Sequence, residues 1–160
     1  RIIFWSGFFF FFTMILDKLH NLLLVNLSLS AILCGLILTI QIVHYPSFLD
    51  VGANEYLSFQ QNHMRNISVV VIPLMLLELV AGIYLQIQYL TLNLHWPVFF
   101  ATFLLILIWI ITMFFASPLH SNLVSRGYDA QRIQKLININ WWRTLAWTVK
   151  TVILFVLLLK

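Results

Sequence analysis

Charged side chains are scarce in this chain. Only 9% of its 160 residues are Asp, Glu, Lys or Arg, whereas 62% are hydrophobic, and the mean hydropathy is +0.97. Soluble domains have about 25% charged and about 45–50% apolar residues. A soluble chain of this size has too much surface for its volume to hide so many apolar side chains from water. The composition therefore excludes a soluble globular domain and predicts an integral membrane protein.

Cysteine and basic residues are also few. Cys34 is the only cysteine and lies inside an apolar run, which excludes an internal disulfide and a thiolate metal cluster. The formal charge of +4 comes from nine Lys and Arg against five Asp and Glu. The basic residues lie mainly in loops and at helix ends, without a basic stripe interleaved with aromatics. This pattern excludes nucleic acid as an expected partner and is typical of residues that anchor helices in a lipid bilayer.

Four long apolar runs are present in spite of these absences. The first, residues 21–43, contains no charge, and at about 1.5 Å per residue it is long enough to cross a hydrocarbon core of about 30 Å. The other three are residues 67–90, 97–116 and 141–159. We therefore predict an all-α polytopic membrane protein, an antiparallel bundle of four transmembrane helices.

The N-terminal segment, residues 1–20, has a different character from the rest. Its phenylalanine-rich run over residues 2–16 is shorter than the roughly 20 residues that a span needs. Three interpretations are open: a signal-like sequence, an interfacial helix, or sequence upstream of a start at Met14, of which we favour the last. We therefore predict a single four-helix domain over residues 21–160.

The connections between the spans differ greatly in length. Residues 44–66 and 117–140 form two long connections on one face, whereas residues 91–96 form a short one on the other. Apolar residues at helical spacing predict a short helix in each long connection, over residues 53–63 and 129–139. Basic residues are more numerous on the long-loop face, which by the positive-inside rule predicts that this face lies in the cytoplasm.

Antiparallel threading brings the polar residues at four helix ends to one interface. His44 and His63 are expected to act as acid–base or ligand groups, because histidine titrates near neutral pH. Tyr45 is the expected proton donor, and Arg143 offers a fixed cation for an anionic group. The residues expected to contact a substrate are His120, Asn140, Trp141, Glu78 and Lys150. Asn140, Arg143, Trp147 and Lys150 recur at steps of three and four, which predicts one stripe facing the bundle.

Two charged residues are predicted deep in the membrane. At helical rise, Glu78 lies about 16 Å and Lys150 about 14 Å from the long-loop face. Because an isolated charge there costs at least about 2.5 to 3.5 kcal/mol, we expect the two side chains to face one another. The pair is either a purely structural ion pair or the floor of a polar cavity. Pro73 removes a backbone donor from the second span and predicts a kink beside that cavity.

Three histidines allow a second interpretation of the interface. His44, His63 and His120 could together bind a metal ion or a haem iron, since neutral imidazole is a common ligand. There is, however, no His-Glu-x-x-His motif, and each histidine comes from a different helix end. Hydrogen-bonding histidines remain the favoured interpretation, so no metal site is predicted and the cofactor is left open.

Several short motifs resemble a known family. They are Gln41-Ile-Val-His44-Tyr45-Pro46, Pro118-Leu-His120 and Asn140-Trp141-Trp-Arg143-Thr144. The chain is similar to an uncharacterised family of small bacterial inner-membrane proteins with four helices, which implies that these polar positions share a site. Gln60 stands where relatives often have histidine, which weakens a metal site of four histidines. A more distant likeness to anthrone-oxygenase-like membrane proteins implies oxidation of a hydrophobic aromatic or quinone-type substrate.

Three functions are compatible with the sequence. The first is a membrane enzyme acting on a hydrophobic small molecule that is lipid-soluble or quinone-like, through a cavity entered from the bilayer. The second is an accessory or binding subunit of a larger membrane complex. The third is a small transporter or proton pathway using Glu78 and Lys150. Because four helices without an internal repeat seldom transport alone, the third would require a homo-oligomer.

Overall fold

Long helices make up nearly all of the chain that the computed structural model describes, which is residues 2–91 and 96–159, with side chains from residue 17 onward. No β-strand occurs in those ranges. The α helices are α1 (Ile2–Thr39), α2 (Ala53–Thr91), α3 (Trp96–Ile111), α4 (Ser117–Arg126) and α5 (Ala130–Leu158).

Four stretches of the described residues are long and apolar enough to cross a membrane. They are Asp17–Leu49, Ala53–Thr91, Trp96–Arg126 and Ala130–Leu158. The all-α bundle with four candidate spans confirms the fold class predicted from the sequence. Of the short connection predicted over residues 91–96, residues 92–95 lie outside the described part of the chain. The separate status of residues 1–20 stays a prediction.

The two short helices predicted in the long connections are helical but not separate. Residues 53–63 form the first turns of α2, and residues 130–139 form those of α5. No glycine or proline interrupts the sequence between these segments and the spans that follow them, so each helix continues into the membrane. The helical structure is interrupted earlier, between α4 and α5. Helix α4 ends at Gly127, which has a φ of +80°. Helix α5 begins after Asp129, whose Oδ1 accepts a 3.0 Å hydrogen bond from the Arg132 N–H.

Two π-helical turns interrupt the spans on the long-loop face. Ile40–His44 follows α1, and the Tyr45 N–H donates to the Ile40 carbonyl oxygen at 2.8 Å. Thr112–Ala116 joins α3 to α4 in the same way, with the Ser117 N–H donating to Thr112. Such turns are rare and frequently occur at functional sites. Here they lead directly to Tyr45 and, one turn farther on, to His120.

Helix α5 lies at the centre of the bundle and packs against α1 and α3. Its inner face is buried along its length, with Ile133, Leu136, Trp147 and Leu154 each no more than 1% exposed. Helices α2 and α3 pack less closely with each other. Helix α2 continues through Pro73, and the kink expected there stays a prediction. Apolar side chains cover the outside of the bundle, as lipid contact requires.

Candidate functional site

The three histidines of the long-loop face lie together, as the threading predicted. His44 Nε2 is 2.8 Å from His63 Nδ1, and their ring centroids are 4.6 Å apart. The ring centroids of His63 and His120 are 5.7 Å apart. Phe48, which is fully buried, packs edge-on against His44 at 5.2 Å and His63 at 5.0 Å and fixes both rings.

A second hydrogen-bonded chain runs through His120. Gln60 Nε2 lies 3.0 Å from His120 Nδ1, and the Tyr45 hydroxyl lies 2.9 Å from His120 Nε2. An amide nitrogen can only donate, so Nδ1 accepts and the proton of the neutral imidazole is on Nε2. His120 therefore donates to the Tyr45 oxygen, which leaves the Tyr45 hydroxyl proton free for another acceptor.

The stripe predicted on α5 is buried along its whole length. Asn140, Arg143, Trp147 and Lys150 are between 0% and 5% exposed. Asn140 Nδ2 donates to Gln41 Oε1 at 2.7 Å, and Arg143 Nη1 donates to Asn140 Oδ1 at 3.0 Å. The guanidinium of Arg143 stacks over the Trp147 ring with Cζ 5.3 Å from its centroid. These contacts fix the position of Arg143, and none of them supplies a negative charge.

The predicted pairing of Glu78 with Lys150 is confirmed. Lys150 Nζ lies 2.7 Å from Glu78 Oε1, and the two side chains are 2% and 0% exposed. Trp147 Nε1 donates to Glu78 Oε2 at 3.0 Å, and Lys150 also donates to the Ser30 hydroxyl at 3.3 Å. Both charges are thus paired and hydrogen-bonded, which is what burial in a low-dielectric interior demands.

An apolar cavity of about 410 Å³ lies between α1, α2 and the π-helical turn Thr112–Ala116. Its walls are mainly aliphatic and include Leu33, Ile37, Val71 and Met75. Its polar lining residues are Tyr45, Ser68, Trp109, Thr112, Ser117, His120, Arg143 and Trp147. We call this space the membrane cavity.

Two residues that line the membrane cavity each have a hydrogen-bond donor without a partner. Arg143 Nε and Trp109 Nε1 are buried, and neither makes a hydrogen bond. Within the described residues no carboxylate forms a salt bridge with Arg143. Buried donors are nearly always satisfied in folded proteins, so two unpaired donors at one end of a cavity are unusual.

The membrane cavity opens sideways through the wall of the bundle. Ile72 and Leu76 of α2 and Met113 of the second π-helical turn line it, yet they are 51%, 48% and 57% exposed. All three belong to stretches that are long and apolar enough to cross a membrane. The opening therefore faces the hydrocarbon region of the bilayer, from which an apolar molecule can enter without crossing water.

A second cavity of about 380 Å³ lies on the other side of the histidine cluster. It is lined by His44, Phe59, Asn62, His63, Asn66 and Ile67 and is more open than the first. Asn62 and Asn66 are exposed amides near the start of α2. This space, which we call the loop-face cavity, shows that the predicted interface is divided: His44 and His63 border one cavity, and Tyr45, His120 and Arg143 border the other.

Four residues predicted to contact a substrate line neither cavity. Trp141 is 51% exposed on the outside of α5, because one residue beyond Asn140 turns the side chain by about 100°. Asn140 supports Arg143 from behind. Glu78 and Lys150 form no cavity floor, since Trp147 lines the membrane cavity while its indole nitrogen bonds to Glu78.

Sequence reasoning missed two members of the site. Trp109, in a span without any ionisable residue, looked like packing material, although its Nε1 is an unpaired donor on the membrane cavity. Gln60 was noticed only as a departure from histidine, whereas the structure gives it a hydrogen bond to His120. Its position one helical turn before His63 was the available signal.

The histidines do not form a metal-binding set in this arrangement. Among the described residues, no three His, Cys, Asp or Glu side chains are placed to hold a metal ion. His44 and His63 bond to each other, and both ring nitrogens of His120 have protein partners. The geometry therefore favours the hydrogen-bonding interpretation of the cluster.

Comparison of the chain with protein-family models, with curated proteins and with solved structures gives no significant match. The site is accordingly characterised by its own chemistry, an apolar cavity with hydrogen-bond donors at one end, next to a histidine cluster that reaches the long-loop face.

Proposed function

We propose that this integral membrane protein is an enzyme that binds a lipid-soluble molecule whose polar end carries acceptor oxygens, and that Tyr45 donates a proton to one of them. Quinones, carboxylates and phenolates are molecules of this class. The single observation that carries the proposal is that two residues lining the membrane cavity, Arg143 and Trp109, each have a buried hydrogen-bond donor without a partner. A cavity of about 410 Å³ is also within the range of roughly 300–1,000 Å³ that small-molecule sites occupy.

Electrostatics favours the same class of ligand. Arg143 is 5% exposed and is held by a neutral amide and an aromatic face. A buried cation without a counter-charge is costly, and a carbonyl or anionic oxygen at its free Nε reduces that cost. A cationic headgroup would increase it. The cavity therefore selects by the sign of the headgroup charge as well as by apolar contact.

Tyr45 supplies the acid–base step. Its hydroxyl borders the membrane cavity, and its oxygen accepts the Nε2 proton of His120. This arrangement leaves the phenolic proton directed to an acceptor and stabilises the phenolate that results from its transfer. The supported reaction class is proton transfer to a carbonyl or enolate oxygen. The more distant likeness to anthrone-oxygenase-like membrane proteins, which implies a hydrophobic aromatic or quinone-type substrate, agrees with this class.

The distribution of exposed basic residues supports a location and an orientation. We place the protein in a bacterial inner membrane with the long-loop face in the cytoplasm. Arg65, Arg126 and Lys135 are exposed on that face, which is the distribution that the positive-inside rule associates with the cytoplasmic side.

Binding of matched amphiphiles tests the ligand class. Purified protein is titrated with an alkyl quinone, whose binding quenches tryptophan fluorescence, and the quinone is then displaced by a fatty acid or by an alkyltrimethylammonium of the same chain length. We expect displacement by the carboxylate and none by the ammonium. Trp109→Phe keeps an aromatic side chain but removes the indole N–H, and should weaken binding by about 1 kcal/mol, or roughly fivefold.

The matched control for this experiment is Trp142→Phe, because Trp142 is 66% exposed and lines neither cavity. Its affinity for the quinone should equal that of the unmodified protein. Equal displacement by the ammonium and the carboxylate would contradict the proposed selectivity.

A further inference from the structure

The histidine cluster lies between the two cavities. His44 and His63 line the loop-face cavity, and Tyr45 and His120 line the membrane cavity. We propose that these four side chains form a proton relay from water at the long-loop face to the ligand in the membrane cavity. The inference rests on the proposed function, because it concerns the proton that Tyr45 transfers.

A relay is needed because of where the membrane cavity opens. Its opening, at Ile72, Leu76 and Met113, faces hydrocarbon, which contains no water that could return a proton to Tyr45. The loop-face cavity differs in this respect. Its exposed amides, Asn62 and Asn66, give it a polar wall that can hold water. Protons must therefore cross the cluster from the loop-face side.

The contacts across the cluster are nearly continuous. The two end steps are hydrogen bonds, 2.8 Å between His44 and His63 and 2.9 Å between His120 and Tyr45. The middle step, from His63 to His120, has ring centroids 5.7 Å apart and ring planes inclined by 33°. A small ring rotation or one bridging water can close such an interval. Buried Phe48 packs against His63 and keeps the surroundings of the relay apolar.

The proton count balances. A proton taken up by His44 from water passes to His63 and then to His120. His120 gives its Nε2 proton to the Tyr45 oxygen as the Tyr45 hydroxyl gives its own proton to the ligand oxygen. Every side chain regains its starting charge, and the net result is one proton moved from water to ligand. His120 ends with its remaining proton on Nδ1, so the imidazole must return to the Nε2 tautomer before the next transfer.

Gln60 suits both protonation states of His120. Gln60 Nε2 donates a hydrogen bond to His120 Nδ1 while that nitrogen is unprotonated. Its Oε1 is buried and has no hydrogen-bond partner in the structure. After rotation of the amide, this oxygen can accept a hydrogen bond from Nδ1 once the nitrogen carries a proton. An amide can therefore follow the change in His120, which an apolar side chain could not do.

A bound optical probe tests the relay. An alkyl-substituted nitrophenol is used at a concentration below that of the protein, since its phenolate absorbs visible light and is an acceptor of the proposed class. After a rapid drop in pH, the absorbance of the bound probe reports the arrival of protons. We expect His44→Phe and His63→Gln to bind the probe normally but to slow this response about tenfold or more.

The matched control is His20→Phe, because His20 is an exposed histidine of α1 outside both cavities. Its response should equal that of the unmodified protein. His44 is only half-buried, so its replacement keeps the test valid even if His63→Gln fails to fold. An unchanged response in His44→Phe with normal probe binding would overturn the relay and leave the proposed function standing. Absence of probe binding by the unmodified protein would overturn both.

Discussion

At the scale of single residues, the cost of charge in a membrane explains most of what could be predicted. Because an isolated charge is costly in a membrane, Glu78 and Lys150 were expected to pair. Lys150 Nζ lies 2.7 Å from Glu78 Oε1. Arg143 had to lie inside the bundle, and it is 5% exposed. Neutral residues carry no such cost. The unpaired nitrogen of Trp109 and the role of Gln60 therefore gave almost no signal in the sequence.

The buried pair makes a stability prediction. Lys150→Met leaves Glu78 charged and unpaired in the interior, and Glu78→Gln does the same to Lys150, so each should lower the free energy of unfolding by about 3–5 kcal/mol. The double variant should lose much less than the sum, because it removes both charges. Thermal unfolding in detergent measures the three values.

The control for the pair is Lys135→Met, since Lys135 is an exposed lysine of the same helix. It should change stability by no more than about 0.5 kcal/mol. Strictly additive losses in the two single variants would show that the contact contributes nothing.

At the scale of elements, the positions of the spans followed from the sequence, but their internal geometry did not. In α3 every residue is apolar or nearly so, and such a helix shows no periodicity from which its inner face could be identified. The π-helical turn Thr112–Ala116 was invisible for the same reason. The extension of α2 and α5 beyond the membrane was missed because a short helix was assigned where helical spacing began, although no residue there ends a helix.

The second π-helical turn makes a prediction about position. Deleting Phe114 should convert it to ordinary α-helix and rearrange the part of the cavity wall that Thr112, Met113 and Ala116 form. Quinone binding, followed by tryptophan quenching, should be lost while the helical circular dichroism is kept. Phe114→Ala is the control: the side chain is 73% exposed, so binding should be unchanged. Normal binding by the deletion variant would show that the turn does not position the site.

At the scale of the whole molecule, the topology places two cavities with different linings on either side of one polar layer. The threading of four spans was predictable from hydropathy, and with it the meeting of His44, His63 and His120. The division of that layer into two cavities was not predictable. Cavity boundaries depend on how side chains of particular shapes pack, which no periodic pattern records.

The orientation of the molecule yields its own prediction. With the long-loop face in the cytoplasm, a reporter fused after the fourth span lies on the opposite side of the membrane. A reporter that is active only outside the cytoplasm should therefore be active in this fusion. Activity of a cytoplasm-only reporter at the same position would reverse the proposed orientation.

The central claim is that the membrane cavity binds a lipid-soluble molecule whose acceptor oxygens pair with Arg143 and Trp109. The most direct measurement is mass spectrometry of the small molecules that co-purify with the native protein, compared with those that co-purify with Arg143→Lys and Trp109→Phe. We predict an apolar molecule with a quinone, carboxylate or phenol headgroup, at near-stoichiometric amount with the native protein and reduced in both variants. A bound amine or quaternary ammonium, retained equally by all three proteins, would contradict the account.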